Sequence, residues 1–320
     1  MPQTSTPQNS TPQTSTPQTS TPQTSVPRTA LPQARAPQDP APPGAPRPLD
    51  LPLREPKPRT RGQTMVIDGG APVRWFEDVV ESSGEFIDLV KFGWGTALVT
   101  SGIKAKTEVL RQHRIPYMFG GTLFEAYVRK GRFDDYRALC REHGCGRVEV
   151  SNGTIDLAPR HKARYIARLA ADFEVVSEVG FKDPRRSETY PPSQWIADIR
   201  RDLDAGARAV ILEARESGTS GICRADGEVR FGLIEDILDA GPHPDLLIFE
   251  APTKGLQTYF IQRVGRRVNL GNVALDDVIA LETLRLGLRA DTLLDDPAGP
   301  AEPERPTGSG EPPADSRESP

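Results

Sequence analysis

The sequence predicts an α/β protein folded as a (β/α)8 barrel, or TIM barrel, with disordered tails at both ends. From about residue 64 to residue 294, short apolar runs alternate with amphipathic segments, which is typical of a parallel sheet covered by helices. Eight strand–helix units can be counted in this region, and that number in this length fits a closed barrel. An open doubly wound sheet is the competing architecture. Its glycine-rich phosphate fingerprint is missing, because Asp68-Gly-Gly-Ala-Pro72 lacks the required spacing.

The strands are predicted from apolar runs too short for helices, and the helices from apolar residues spaced three or four apart. The predicted strands are residues 65–68, 86–93, 116–121, 147–151, 174–180, 209–214, 246–250 and 268–270. The predicted helices are residues 73–82, 101–113, 123–143, 159–171, 193–205, 231–239, 255–264 and 275–288.

Three segments make up the predicted domain organisation: an arm over residues 1–61, the barrel over residues 62–294 and a tail over residues 295–320. The arm opens with a repeat of the type Thr-Pro-Gln-Thr-Ser and continues as Pro/Ala/Arg-rich sequence. Proline at this density removes amide donors and leaves too little apolar surface to offset chain entropy. We therefore expect a disordered arm with polyproline II character. The tail, rich in Pro, Gly and Glu, is expected to be disordered as well.

Composition argues against several classes of protein. A net charge of −4 and a pI near 5.7 make nucleic acid an unexpected partner. The sequence shows neither a signal peptide nor an apolar run of about twenty residues, so no membrane partner is expected. Three cysteines do not make a disulfide framework, and we expect reduced thiols in a cytoplasmic protein. Assembly as a homo-oligomer stays open.

Charged and amide residues follow the predicted strands where each strand ends. Catalytic groups of a (β/α)8 barrel come from these carboxyl ends and the loops after them. Side chains two apart in a strand share a face, and one parity collects cations and carboxylates that could all face the barrel axis. They are Lys91, Lys182 and Arg215 beside Glu149, Glu178, Glu213 and Glu250.

Several carboxylates beside several cations suggest a hard divalent metal and an anionic substrate. Mg²⁺ prefers oxygen ligands and keeps waters, so one or two carboxylates would be enough. Phosphate in these barrels often lies after strands seven and eight, near a helix N-terminus. The residues of that region with suitable side chains are Lys254, Asn269 and Asn272.

Each of these residues also has a purely structural interpretation. A single lysine or glutamate near a strand end is more often part of a surface ion pair than a catalyst. Glu213 and Arg215 could form an ion pair within the barrel, and the two asparagines could bond loop backbone. The histidines fall on helices or far loops, without the spacing of a metal site or a catalytic triad. The prediction of an active site therefore rests on the collective pattern.

Ordered motifs along the folded region resemble the phosphosulfolactate synthase family, which includes plant heat-stress-associated relatives. The resemblance covers the whole predicted barrel and neither tail. It is carried by Phe92-Gly-Trp-Gly-Thr96, Gly120-Gly-Thr-Leu-Phe-Glu125, Glu149-Val-Ser-Asn-Gly153, Glu178-Val-Gly180, Glu213-Ala-Arg-Glu-Ser-Gly218, Phe249-Glu-Ala-Pro252, Val268-Asn-Leu-Gly-Asn272 and a closing segment over residues 281–292.

The resemblance implies a C–S bond-forming lyase that uses Mg²⁺ to add sulfite to phosphoenolpyruvate, giving (2R)-3-sulfo-2-phospholactate. In some organisms this reaction opens coenzyme M biosynthesis. By the family's pattern Lys182 would be the acid that delivers a proton to C2. Anion binding would fall to Lys91, Arg215, Lys254, Asn269 and Asn272, and the metal to Glu149, Glu178, Glu213 or Glu250.

The sequence departs from the family's pattern at two positions. Phe181 stands where many members carry a basic residue beside the lysine, and Leu256 replaces a common glutamine, although Gln257 follows it. Two other functions stay open at this stage. One is a different enolate-type addition on a phosphorylated acid, and the other is a non-catalytic, stress-associated barrel.

Overall fold

Eight strands and eleven α-helices follow one another in the described part of the chain, residue 49 and residues 51–293 of this computed structural model. The strands are β1 (Thr64–Asp68), β2 (Leu89–Phe92), β3 (Tyr117–Phe119), β4 (Arg147–Val150), β5 (Glu174–Val179), β6 (Ala207–Leu212), β7 (Leu247–Glu250) and β8 (Leu270–Val273). The helices are α1 (Val73–Ser83), α2 (Ile103–Gln112), α3 (Gly121–Arg129), α4 (Phe133–Glu142), α5 (Pro159–Leu169), α6 (Pro184–Thr189), α7 (Pro192–Asp204), α8 (Phe231–Ala240), α9 (Lys254–Val264), α10 (Val278–Arg285) and α11 (Ala290–Leu293).

All strand pairs are parallel, in the order β3-β2-β1-β8-β7-β6-β5-β4. The first and last strands pair through β1 and β8, where Thr64 lies opposite Leu270. The strands at the two ends of the order, β3 and β4, still contact each other, so the sheet curls into a nearly closed barrel. The predicted (β/α)8 fold is confirmed.

The core has two layers, as the barrel requires. Inside the barrel, apolar side chains from six strands fill the axis below the mouth; they are Met65, Leu89, Met118, Val176, Ile211 and Ile248. Outside, the opposite faces of the strands pack against the apolar stripes of the helices. Strands buried on both faces explain why their sequences read as nearly continuous apolar runs.

The structure adds α6 and α11 to the predicted elements and changes two others. The single helix predicted over residues 123–143 is two helices, α3 and α4, because Gly131 between them has φ +69°, a left-handed conformation that ends a helix. The last strand is not residues 268–270 but β8, Leu270–Val273. Because of the second difference, the side chains near this strand lie at other heights along the barrel axis than predicted.

Residues 51–61, assigned to the arm, make specific contacts at the amino-terminal end of the barrel. Arg59 is buried, and its Nη1 lies 3.0 Å from Asp88 Oδ1. Asp88 Oδ2 in turn accepts a hydrogen bond from the Thr64 amide at 2.9 Å, which ties this segment to the start of β1. Residues 1–48 and 50 of the arm and the tail over residues 295–320 lie outside the described residues, so their disorder stays a prediction.

None of the helices in the described ranges is long and apolar enough to cross a membrane.

Candidate active site

A cavity of about 180 Å³ lies at the carboxyl ends of the strands. Its walls come from most of the strand ends around the barrel. It is lined by Ile67, Lys91, Gly93, Trp94, Gly120, Gly121, Thr122, Glu149, Thr154, Glu178, Lys182, Glu213, Arg215, Glu216, Glu250 and Asn272. Polar and charged groups dominate the lining, and the cavity is small enough to suit a compact anion rather than a large apolar ligand.

Eight of the ten residues singled out from the sequence line this one cavity. They meet there because alternate side chains of a strand point to the same face, here the barrel axis. The eight are Lys91, Glu149, Glu178, Lys182, Glu213, Arg215, Glu250 and Asn272.

The other two residues, Lys254 and Asn269, do not line the cavity. Lys254 begins α9, is about half exposed, and its Nζ lies 2.6 Å from Asp291 Oδ2. Asn269 precedes β8, at the amino end of the barrel, where its Oδ1 accepts the Gln63 amide at 3.0 Å and its Nδ2 donates to the Leu247 carbonyl at 3.1 Å. Both side chains are occupied by structural partners.

Lys91 is a buried cation held by two strand-end carboxylates. Its Nζ lies 3.1 Å from Glu250 Oε1 and 3.4 Å from Glu149 Oε2. Burial opposes the charged form, but the two carboxylates more than offset it and raise the pKa of Lys91. Glu250 is held further by the amide of Ala214, which donates to its Oε2 at 2.9 Å. Lys91 is therefore an ammonium ion anchored between β4 and β7.

Lys182 forms the second cationic centre and is more accessible. Its side chain is 26% exposed, and its Nζ lies 3.1 Å from Glu178 Oε1 and 2.5 Å from Glu213 Oε2. Burial again works against the charge, and the two carboxylates raise the pKa of Lys182 well above its ordinary value. Lys182 therefore presents a proton at the mouth of the cavity, whereas Lys91 is enclosed.

The buried carboxyl groups also shift the pKa values of one another. Glu178 lies within hydrogen-bonding reach of both Glu149 and Glu213. Burial raises the pKa of Glu149 to about 8, and it also raises the pKa of Glu213 well above its usual value. Burial of Glu178 is outweighed by Lys182 and Lys91, which hold its pKa below the ordinary range. Like charges at this spacing cannot all ionise together, and the two lysines favour the anionic form of Glu178 most strongly.

Two glycines allow the backbone to bring Glu213 into this cluster. Gly180 has φ +127°, and a Cβ there would lie 2.6 Å from Glu213 Cβ. Gly221 has φ +64°, and a Cβ would lie 1.7 Å from the Glu213 carbonyl oxygen. Because no other residue fits at either position without a shift, the loops after β5 and β6 close tightly around Glu213.

Groups beneath the cavity, not singled out from the sequence, hold its loops. Glu125 on α3 is buried, and its Oε1 accepts from Ser151 Oγ at 2.5 Å. Its Oε2 accepts the amides of Thr154 and Ile155 at 3.0 and 2.9 Å, which fixes the loop carrying Thr154 at the rim. A carboxylate on a helix, six residues after the end of β3, gives no strand-end signal, so only the Gly120–Glu125 motif indicated it.

The raised pKa of Glu149 gives a testable dependence of stability on pH. A carboxyl group whose pKa is higher in the folded than in the unfolded protein stabilises the fold below its ordinary pKa of 4.5, and loses that contribution as pH rises to about 8. We expect the Tm of the wild type to fall more over this range than the Tm of Glu149→Gln, so that the difference grows by about 10 °C between pH 5 and 8.5. Thermal unfolding without divalent cations measures it.

The matched control for this experiment is Glu235→Gln. Glu235 lies on the outer surface, where its hydrogen bond to Arg263 lowers its pKa. A lowered carboxyl pKa changes stability only as pH falls below the ordinary value, so this variant should run parallel to the wild type from pH 5 to 8.5. Parallel curves for Glu149→Gln as well would contradict the raised pKa of Glu149.

Comparison with known families now places this arrangement of residues. Residues 52–291 match the family model described as (2R)-phospho-3-sulfolactate synthase (ComA). The chain belongs to the phosphosulfolactate synthase family. It is 47% identical over 244 residues to "Phosphosulfolactate synthase" of Bacillus subtilis (strain 168), covering 76% of this chain and 97% of that protein.

Other relatives of the phosphosulfolactate synthase family show how far the similarity extends. The protein of the same name from Methanothermobacter thermautotrophicus is 40% identical over 247 residues, covering 76% of this chain and 95% of that protein. "Protein HEAT-STRESS-ASSOCIATED 32" of Arabidopsis thaliana is 25% identical over 234 residues, covering 65% of this chain and 79% of that protein. The resemblance inferred from the motifs is confirmed, and relatives named as synthases indicate an enzyme.

Of the two departures from the family's pattern, neither lines the cavity. The Phe181 ring lies under the guanidinium of Arg186, 4.1 Å from the ring centroid, so a cation still sits beside this position. Leu256 is buried on α9, and the following Gln257 donates to the Ala251 carbonyl at 3.2 Å. Both residues therefore support the loops around the site.

Proposed function

We propose that this protein adds sulfite to phosphoenolpyruvate and forms (2R)-3-sulfo-2-phospholactate, as a C–S lyase of the phosphosulfolactate synthase type. The observation that supports it most is the convergence of Lys182, Lys91 and Arg215 with four buried carboxyl groups in one cavity of about 180 Å³. A substrate with a phosphate group and a carboxylate group needs cations to bind it. The carbon that becomes basic during the reaction needs a proton donor nearby.

The proposed reaction balances without an oxidant or a reductant. The sulfur lone pair of sulfite forms a bond to the methylene carbon C3, and the C2–C3 π electrons move towards C2 and its carboxylate. The Lys182 ammonium then gives its proton to C2 and is reprotonated from solvent. The carbanionic C2 is far more basic than an amine, so Lys182 can donate even though Glu178 and Glu213 raise its pKa.

Arg215 would bind the substrate's carboxylate as charge builds there. It has φ +63°, its amide donates to Glu213 Oε1 at 2.6 Å, and its Nε is buried without a hydrogen-bond partner. A guanidinium fork matches a carboxylate in shape and charge. Holding that charge more tightly in the transition state than in the ground state lowers the barrier.

Mg²⁺ is proposed as the cofactor, and the donor set fits an ion held by few protein ligands. Glu149 Oε2 is buried without a hydrogen-bond partner, 3.4 Å from Lys91 Nζ, so it has capacity for a cation. Among the described residues no three acidic, histidine or cysteine side chains are grouped as a metal site. Glu149, with Glu178 beside it, would therefore hold the ion, and substrate and water would supply the other ligands. A bound Mg²⁺ would stabilise negative charge on the substrate.

The decisive experiment incubates purified protein with phosphoenolpyruvate, sulfite and Mg²⁺ and follows the sulfonated product by NMR and mass spectrometry. Product should require all three additions, and EDTA should abolish it. Circular dichroism on the same sample establishes that the protein is folded. Consumption of phosphoenolpyruvate with another nucleophile but not with sulfite would replace the proposed reaction, and no consumption at all would favour a non-catalytic barrel.

The cytoplasm is the proposed compartment. Cys140, Cys145 and Cys223 are all free and buried, as expected for thiols in a reducing environment.

A further inference from the structure

The N-terminus of α3 forms part of the cavity wall, and it is not capped. Gly120, Gly121 and Thr122 all line the cavity. Gly120 is the N-cap residue and has no side chain to accept from the first turn. The Gly120 amide donates to the Phe92 carbonyl at 2.9 Å, but within the described residues the amides of Gly121 and Thr122 have no acceptor. Free amides at the positive end of a nine-residue helix attract anions.

The two glycines are explained by close approach and not by backbone conformation. A Cβ at Gly121 would lie 2.4 Å from Ser151 Oγ and 2.7 Å from Glu149 Oε1. A Cβ at Gly120 would lie 3.3 Å from the Phe92 carbonyl oxygen. Neither glycine has positive φ. Their lack of side chains therefore lets the helix end stand directly against the strand-end groups of the cavity.

A second observation points to a ligand in the same cavity. Asn272 on β8 is 6% exposed and lines the cavity, yet its Oδ1 is buried without a hydrogen-bond partner. A buried unsatisfied amide indicates a missing partner. The NH₂ group of the same amide is a hydrogen-bond donor that suits an anion.

The N-terminus of α9 follows β7, where (β/α)8 barrels often bind phosphate. In this protein it is not suited to binding phosphate. Thr253 caps this helix by accepting from the Leu256 amide at 3.3 Å. Lys254 extends to Asp291, and no residue from 253 to 255 lines the cavity. Among the α-helices of the described residues, α3 is the one whose first residues line the cavity.

We propose that the α3 N-terminus, with Asn272, binds the phosphate group of the substrate, while Arg215 takes its carboxylate. The identity of the substrate as a phosphate ester rests on the proposed function. The amides of a helix N-terminus can surround a phosphate group, whereas the planar guanidinium of Arg215, after β6, matches a carboxylate. This arrangement leaves the carbon that bears both groups facing Lys182, which follows β5.

The test measures binding of inorganic phosphate by calorimetry, without phosphoenolpyruvate or sulfite and at constant ionic strength. Gly121→Ala should weaken phosphate binding about tenfold or more, because the added methyl group displaces the helix end. Gly232→Ala is the matched control. Gly232 also lies in the first turn of a helix, α8, but nothing lies within 4 Å of a Cβ there, so its phosphate affinity should equal that of the wild type.

Two more variants keep the outcome decisive. Asn272→Gly suits the left-handed backbone at φ +53° and should fold even if Gly121→Ala does not. It should also weaken phosphate binding about tenfold. Lys254→Ala should leave phosphate affinity unchanged. Unchanged affinity in folded Gly121→Ala and Asn272→Gly, or a loss in Lys254→Ala, would overturn the assignment. Phosphate binding as described in a protein that forms no sulfonate would sink only the proposed reaction.

Discussion

Replacing Lys182 by alanine is expected to lower kcat for sulfite addition to phosphoenolpyruvate by about 100- to 10,000-fold, the range of a lost general acid. Lys182 is the more exposed of the two cavity lysines and holds its proton between Glu178 and Glu213. The other lysine of the cavity, Lys91, is enclosed by its own carboxylates. Steady-state kinetics at saturating substrate measure the effect.

The result separates chemistry from binding if KM and kcat are resolved. Loss of a proton donor should act mainly on kcat, whereas loss of a binding cation would act on KM. Lys182→Arg preserves the charge but not a readily donated proton, and should stay at least about 100-fold slower than the wild type. A variant with wild-type kcat would remove Lys182 from the proposed step.

Lys254→Ala serves as the matched control and should change kcat and KM less than about twofold. Its ammonium is on the outer side of α9, paired with Asp291, and an exposed ion pair contributes little. A large loss of activity in this variant would show that α9 moves towards the mouth during the reaction.

These two lysines also show what the sequence could and could not predict. The order of elements and the barrel followed from alternation alone, because each apolar run needs cover on both faces. The position of Lys91 and the four glutamates followed from strand parity, which fixes the direction of a side chain within a strand. Strand parity does not apply beyond the end of the strand, however. Lys254 is the first residue of a helix, and the direction of that helix depends on the turn before it.

Asn269 illustrates a second limit, the uncertain ends of strands. The run Val268-Asn-Leu-Gly-Asn272 does not show where its strand begins. Pairing with β1 and β7 places the strand at Leu270–Val273, which brings Asn272 to the mouth and leaves Asn269 at the opposite end. Three-dimensional pairing, and not local sequence, decided between the two asparagines.

A buried ion pair behind β5 should produce the largest change in stability. Lys162 on α5 and Asp202 on α7 are both buried, and Lys162 Nζ lies 2.7 Å from Asp202 Oδ2. Lys162 also donates to the Glu178 carbonyl at 2.5 Å, and Ser177 Oγ donates to Asp202 Oδ2 at 2.5 Å. The pair thus joins two helices to the strand that carries Glu178.

Lys162→Met is expected to lower the free energy of unfolding by about 3–5 kcal/mol, because it leaves the Asp202 carboxylate buried without a counter-ion. In a domain of this size the Tm should fall by about 10 °C. Chemical denaturation measures the first quantity and calorimetry the second. Arg263→Ala, which breaks the exposed pair with Glu235 on the outer surface, is the control and should leave the free energy of unfolding nearly unchanged.

The double variant Lys162→Met/Asp202→Leu distinguishes an unpaired charge from lost packing. Removing both charges leaves no ion to desolvate, so most of the stability lost in Lys162→Met should return. If the double variant is instead less stable than Lys162→Met by the full cost of a second core substitution, the two side chains stabilise the protein through their packing and not through their charges. A single variant that loses less than about 1 kcal/mol would show that water reaches Asp202, and that α5 and α7 are held to β5 by their apolar contacts alone.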